Sequence, residues 1–191
     1  MNEIIRCSWT GNHPLSIDYH DNEWGRPVHD DVKLFEMLTL EGMQAGLTWI
    51  TVLNKREAFR EAFDGFDFNK VALYDEMKRE ELMANEKIIR NRLKINAAVI
   101  NAKLFLRVIE EYGSFDQFIW NYVDCTPITG HWEKIEDAPT KTPLSDQISK
   151  DLKKMGFKFV GSTIIYAFMQ ATGMVNDHIT KCFVYNEILH G

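Results

Sequence analysis

Cysteine and proline are both scarce here, with three Cys and five Pro in 191 residues. Cys7, Cys125 and Cys182 are odd in number and far apart, which excludes a disulfide framework and makes a reducing, cytoplasmic setting the expectation. No apolar run approaches the roughly 18 residues of a membrane span, so no membrane partner is expected. The opening MNEIIRCSW lacks the basic-then-apolar design of a secretion signal. Internal repeats, low-complexity tracts and Gly-, Ser- or Pro-rich linkers are also missing. A single domain over residues 1–191 is therefore expected, long enough for a real core and with no need of an obligate protein partner. Positive charge is in deficit too: Lys and Arg total 22 against 28 acids, for a net charge of −6. That total argues against nucleic acid, but its distribution is uneven. Asp18 to Glu41 carries seven acids against Arg26 and Lys33, whereas Lys141 to Lys158 carries five lysines against Asp146 and Asp151. The second stretch is a modest local basic face.

No segment alternates convincingly enough to be a strand, and the expected class is all-α. Residues 1–29 read as irregular, punctuated by Gly11, Pro14, Gly25 and Pro27. A helix opens at Asp30 or Asp31, acids that suit its positive end, and runs to about Gln44. Gly46 breaks it, and Thr48 starts a further helix to about Phe63; short pieces follow near 69–75 and 78–85. The clearest helix spans about 91–111, where Ile95, Ala98, Val99, Ala102, Phe105, Leu106 and Ile109 recur at helical spacing. Ser114 starts another, and residues 124–143 read as a loop held by Pro127, Pro139 and Pro143. Helices are expected at Ser145–Met155, stopped by Gly156, then from about Val160 to Ala171, and last from about Asp177.

Four features carry chemistry. Glu41 interrupts an apolar helical run (LFEMLTL, 34–40), and an acid entering a core is unfavourable unless something polar meets it. Tyr19 and Trp24 in YHDNEWG, with Trp49, offer flat faces for a base, worth about 1–3 kcal/mol per stack, although each is equally suited to be a core aromatic. His178 and Cys182, four apart on an expected helix, pair with Cys7 and His20 near the other end. Two thiolates and two imidazoles would make a complete tetrahedral zinc set with no position left for water, a structural rather than catalytic arrangement, while the alternative is that Cys7 and Cys182 are small core residues. Finally, Gly156 to Gly161 form a short turn between two helices. Its backbone N–H groups, with Lys153, Lys154 and Lys158 close by, suit a phosphate without base preference.

These strings together resemble the 3-methyladenine DNA glycosylase I family of the helix-hairpin-helix glycosylase superfamily. The likeness runs nearly end to end through YHDNEWG, LFEM, LEG-x-QAGL-x-WITVL-x-KRE, GFKFVG and FMQA-x-G-x-VNDH with a following Cys. It implies a compact helical fold and hydrolytic excision of 3-methyladenine from alkylated double-stranded DNA. The divisions it implies are an irregular segment 1–29, a helical body 30–143, a helix-hairpin-helix region 144–175 and a zinc-bearing C-terminal helix 176–191. By the resemblance, Glu41 is the pocket acid, Tyr19 and Trp49 its stacking walls, and Trp24 a further pocket aromatic. One structural zinc is held by Cys7, His20, His178 and Cys182. Gly156, Lys158 and Gly161 grip the DNA backbone, and Gly46-Leu47 contact or wedge into the duplex. The slot that holds a nucleophilic lysine in strand-cutting relatives is Thr163 here, so a monofunctional enzyme is implied. The slot of the superfamily's catalytic Asp is Asn176, with Asp177 beside it either capping the last helix or, like Glu41, activating the water. The competing expectation is a non-catalytic, zinc-stabilised helix-hairpin-helix DNA-binding module, which has no need of an acid in an aromatic pocket.

Overall fold

In the computed structural model, residues 4–190 are described. The chain enters through a short 3-10 turn, Ser8–Thr10, and helix α1 (Pro14–Asn22). Then come α2 (Asp31–Gln44), α3 (Trp49–Leu53), α4 (Arg56–Ala62), α5 (Phe68–Val71) and α6 (Glu76–Ala84). The second half holds α7 (Arg92–Tyr112), α8 (Phe115–Trp120), strand β1 (Ile128–Thr129), α9 (Pro143–Met155), α10 (Ser162–Ala171), strand β2 (Val175–Asn176) and α11 (Phe183–His190).

Helix α2 is the axis of the molecule. Leu34, Phe35, Met37, Leu38, Leu40 and Met43 are all essentially buried, and a helix apolar on every side belongs in a core. It packs against α3, α7, α8 and α10, while α9 packs on the far side of α10. Helix α7 presents its apolar stripe to this layer, and Phe105 stacks on Phe115 of α8 at 4.0 Å between ring centroids. The helix starts obey capping chemistry. Asp30 accepts from the Lys33 N–H at 2.8 Å, Asn91 from Lys94 at 3.1 Å, and Ser114 from Gln117 at 2.9 Å. Thr142 and Ser145 form a reciprocal capping box around Pro143.

Four expectations need correction. The fold is mostly helical but not purely α, because β1 and β2 pair in parallel, Ile128 opposite Val175 and Thr129 opposite Asn176. That pair fastens the long loop after α8 to the segment after α10. The segment 1–29 is not all irregular, since Tyr19 and His20 sit on α1. The helix expected from Thr48 to Phe63 is two, α3 and α4, parted at Asn54 and Lys55. The last helix starts at Phe183, not Asp177, so His178 and Cys182 lie in the loop before it and Asp177 caps nothing.

Candidate functional site

A cavity of about 400 Å³ opens beside the C-terminal half of α2. Glu41 and Gln44 of α2, Trp49 of α3, Tyr19 of α1, and Trp9 and Trp24 line one side. Thr163, Tyr166, Ala167 and Gln170 of α10 line another, and the loop residues Ile135 and Ala138 to Thr140 close it. The structure thus brings Tyr19, Trp24, Glu41 and Trp49 together. Tyr19 and Trp49 meet at 5.3 Å with their planes tilted by 49°, and Trp9 sets its edge to Trp24 at 5.1 Å. The indole N–H groups of Trp9 and Trp49 are buried without a protein partner among the described residues. Unpaired buried donors at a cavity wall are uncommon away from ligand sites.

Glu41 is only 4 % exposed, and burial pushes its carboxyl up to about 8. No arginine or lysine among the described residues pairs with it. Glu36, five residues back on α2, is paired instead. Arg56 Nε donates to it at 2.7 Å and Arg60 Nη2 lies 2.8 Å away, while Arg56 also donates to both oxygens of Glu23 at 2.8 Å. This buried network ties α2 and α4 to Glu23, just after α1, and holds the Glu23 carboxyl near 2 against burial that would raise it. The Arg56 guanidinium also lies over the Tyr19 ring, 6.0 Å from its centroid. So Glu23 and Glu36 are paired with cations, whereas the cavity acid Glu41 has no such partner among the described residues. Behind Glu41, Lys94 of α7 donates from Nζ to the carbonyls of Met43 (2.8 Å) and Ala45 (2.6 Å). That satisfies the end of α2 and fixes the turn that follows.

At the other face of α1, Cys7 Sγ, His20 Nε2, His178 Nδ1 and Cys182 Sγ lie within 4.8 Å of one another, all buried. The Cys7–His178, Cys182–His178 and Cys182–His20 separations are 3.6, 3.5 and 3.5 Å. A tetrahedral ion with metal–sulfur bonds of about 2.3 Å and metal–nitrogen bonds of about 2.05 Å demands about 3.6 Å for each such edge. The donor set therefore fits a metal ion. Both imidazoles are also oriented from behind, as ligating histidines usually are. His20 Nδ1 meets Asp21 at 2.7 Å, and His178 Nε2 meets the Trp24 carbonyl at 2.9 Å. Contact between the two buried thiols pushes Cys7 up and holds Cys182 down. Trp24, His20 and His178 pack ring against ring, so this cluster and the cavity share a wall.

The turn from Gly156 to Gly161 joins α9 and α10, with Gly156 in the left-handed conformation at φ 106°. Its backbone is less open than the sequence suggests. Asn101 of α7 accepts from the Lys158 N–H at 2.8 Å and donates to the Lys158 carbonyl at 2.9 Å. The N–H groups of Gly156 and Phe157 turn back onto Lys153 and Leu152. What remains outward is the Gly161 end, where a side-chain Cβ would meet nothing within 4 Å, and the uncapped start of α10. Lys153, Lys154 and Lys158 are exposed around it. Gly46, at φ 80°, and exposed Leu47 border a second depression beside Thr163 and Ile164. Glu41, Gln44, Thr163 and Ala167 border both depressions, so the cavity mouth, the Gly46-Leu47 turn and the start of α10 form one face.

Sequence reasoning missed Trp9, Gln44, Tyr166 and Gln170 as cavity residues. Gln44 falls one helical turn after Glu41 and was within reach of spacing; the α10 residues give no signal until α10 is placed against α2. Asp177 is 1 % exposed and lies behind the cavity wall, accepting from Trp132 Nε1 (2.7 Å), Tyr166 Oη (2.6 Å) and Gln170 Nε2 (2.9 Å). Asn176 is buried against His178 and Tyr185.

An aromatic cavity with a lone uncompensated acid, set on the same face as a glycine-rich turn, defines the class, and the sequence agrees. Residues 9–185 match the methyladenine glycosylase family, and the chain belongs to it. It is 50% identical over 180 residues to DNA-3-methyladenine glycosylase 1 of Escherichia coli (strain K12), covering 94% of this chain and 96% of that one. The fold superposes on a crystal structure of 3-methyladenine DNA glycosylase I with a TM-score of 0.90 at 52% identity, over 94% of this chain and 98% of the other. A further enzyme of that name, solved as a variant in complex with 3-methyladenine, gives a TM-score of 0.91 at 37% identity over 93% and 96% of the two chains.

Proposed function

We propose that this protein is a DNA repair glycosylase that removes 3-methyladenine from alkylated duplex DNA by hydrolysing its N-glycosidic bond. The observation that carries this reading is Glu41: a buried acid without a counter-charge, facing a cavity walled by Tyr19, Trp24 and Trp49.

A base inside a duplex is out of reach, so it is flipped into the pocket at a cost of about a few kcal/mol, less for a damaged pair. Tyr19 and Trp49 hold its faces, Trp24 closes the pocket, and Glu41 hydrogen-bonds its polar edge. 3-Methyladenine is cationic in DNA, so its glycosidic bond is already weak and asks for no protonation. A cation entering beside Glu41 favours loss of the carboxyl proton, and the carboxylate then holds the base where it departs. Water is the acceptor. Thr163 stands where a lysine nucleophile would be needed to cut the strand, so the base is released and the backbone left intact.

The pair α9–turn–α10 is read as a helix-hairpin-helix whose Gly161 end and α10 start meet a phosphate, with Lys158 adding counter-charge. Gly46-Leu47 enters the duplex at the gap the flipped base leaves. Zinc is the ion that Cys7, His20, His178 and Cys182 would hold, one per chain. Four protein ligands leave it no open position, so it ties the N-terminal segment to the loop before α11 and its contribution is to stability. The whole acts as a single domain in a cytoplasmic setting.

The test is to incubate the metal-loaded protein with methylated duplex DNA and to resolve the released bases by chromatography and the strands by electrophoresis. Free 3-methyladenine with uncut strands is expected. No release, or release with strand scission, overturns the reading.

A further inference from the structure

The α10 wall of the cavity is organised by a residue that does not reach the cavity. Asp177 is buried, and its oxygens meet three donors: the Trp132 indole, the Tyr166 hydroxyl and the Gln170 carboxamide. All three are neutral, and no salt bridge reaches this acid among the described residues. Removing a carboxylate from water with only neutral donors around it is unfavourable, so packing alone is better served by a neutral side chain. The site is nevertheless built closely around the acid. A Cβ on Gly130 would collide with both the Trp132 indole nitrogen and the Asp177 carboxylate.

An acid of this kind imposes a direction on its neighbours. Gln170 turns its NH2 end to the carboxyl group, Nε2 donating to Oδ2 at 2.9 Å, so Oε1 is left as the carboxamide atom without a protein partner among the described residues. The Tyr166 hydroxyl likewise gives its only hydrogen to Asp177, so anything else that approaches its oxygen meets a lone pair. Tyr166 and Gln170 both line the cavity across from Glu41. Replacing Asp177 by an amide would remove this polarity, because an amide can present either end.

We infer that Asp177 is a positioning residue for base recognition, turning Gln170 so that its Oε1 serves as a second hydrogen-bond acceptor for the extruded base. The inference rests on the excision reading above. It makes the α10 wall selective for the chemical class of bases that present an exocyclic amino group there, as an adenine-type base does. A guanine-type base presents a carbonyl in the corresponding place, and two acceptors facing each other repel.

The test uses the full, metal-loaded chain with the variants Gln170→Met, Asp177→Asn and the two combined. Binding of free 3-methyladenine is followed by quenching of indole fluorescence, since Trp9, Trp24 and Trp49 line the cavity. Excision of 3-methyladenine and 3-methylguanine, duplex affinity and metal content are measured alongside. Each single variant is expected to weaken free-base binding about tenfold and to narrow the preference for the adenine-type base, the double variant being no worse than either single one. Duplex affinity and metal content stay at the wild-type level, which a general disturbance of the loop around His178 would not allow. Wild-type base binding in Gln170→Met, or losses that multiply in the double variant, overturns the inference. Gln170→Met alone decides the matter if Asp177→Asn does not fold. A wild-type protein that neither binds nor releases 3-methyladenine refutes the excision reading instead, and the inference with it.

Discussion

Glu41→Gln should make the protein more stable, and only above a definite pH. The carboxyl ionises near 4.5 when exposed and at about 8 in the fold. Below pH 4.5 both folded and unfolded chains carry the proton, so the wild-type acid and its neutral isostere behave alike. Between those values the unfolded chain has released its proton while the folded chain retains it. Stability therefore falls as pH rises through this window and levels off above it. In a dry site the full difference corresponds to roughly 5 kcal/mol, at about 1.36 kcal/mol per tenfold change. Glu41 faces an open cavity that water enters, which leaves about 2 kcal/mol as the expected gain from Glu41→Gln at pH 8.5. For a chain of this length that raises Tm by about 4–8 °C. Scanning calorimetry of both proteins between pH 4 and 9 reads the difference directly, and other titrating groups cancel in the comparison. A gain that is the same at every pH, or largest at low pH, would refute the argument that burial alone perturbs this acid.

Cys182→Ser should lower metal content and stability together, by about 3 kcal/mol or more, which is a Tm loss of about 6–12 °C; unchanged metal stoichiometry would remove Cys182 from the ligand set. Lys94→Met strips the charged donor from the Met43 and Ala45 carbonyls, so thermal unfolding should show a loss of about 2 kcal/mol. An unaltered Tm would mean that the end of α2 is satisfied in some other way. Arg56→Met leaves Glu23 and Glu36 without their shared guanidinium, and should destabilise by about 3–5 kcal/mol in chemical denaturation. A neutral outcome would show that Lys33 and Arg60 suffice.

Much of this was legible because the relevant elements announce themselves locally. Helix α2 is a nearly continuous apolar run, α7 and α9 carry a strong apolar period, all three have an Asp, Asn or Thr cap, and the sequence places each start within two residues. Glu41 stands out as the residue that breaks the α2 pattern. Helix α1 does not announce itself, because it buries Ser16, Tyr19 and His20, and Tyr19 and His20 face the cavity and the Cys/His cluster rather than an apolar core. The four-residue step from His178 to Cys182 imitates a helical turn. Here, however, the His178 and Cys182 side chains converge from a loop held by the β1–β2 pair and by the Ile179 N–H bonded to Cys7 Sγ. The far wall of the cavity could not be read at all. Tyr166 and Gln170 look like ordinary positions on an apolar helix, and only the packing of α10 on α2 and the burial of Asp177 show what they face. The hairpin was legible as a turn but not as a hydrogen-bond inventory, since Asn101, 57 residues away, takes up the Lys158 backbone.

Glu41 is proposed to act on the flipped base and not on the grip of the duplex. Single-turnover excision by Glu41→Gln, measured with its affinity for the same methylated duplex, tests it most directly. Release of 3-methyladenine is expected to slow at least tenfold, about 1.4 kcal/mol in the barrier, while duplex affinity changes less than about twofold. Equal losses in both, or excision at the wild-type rate, would contradict it.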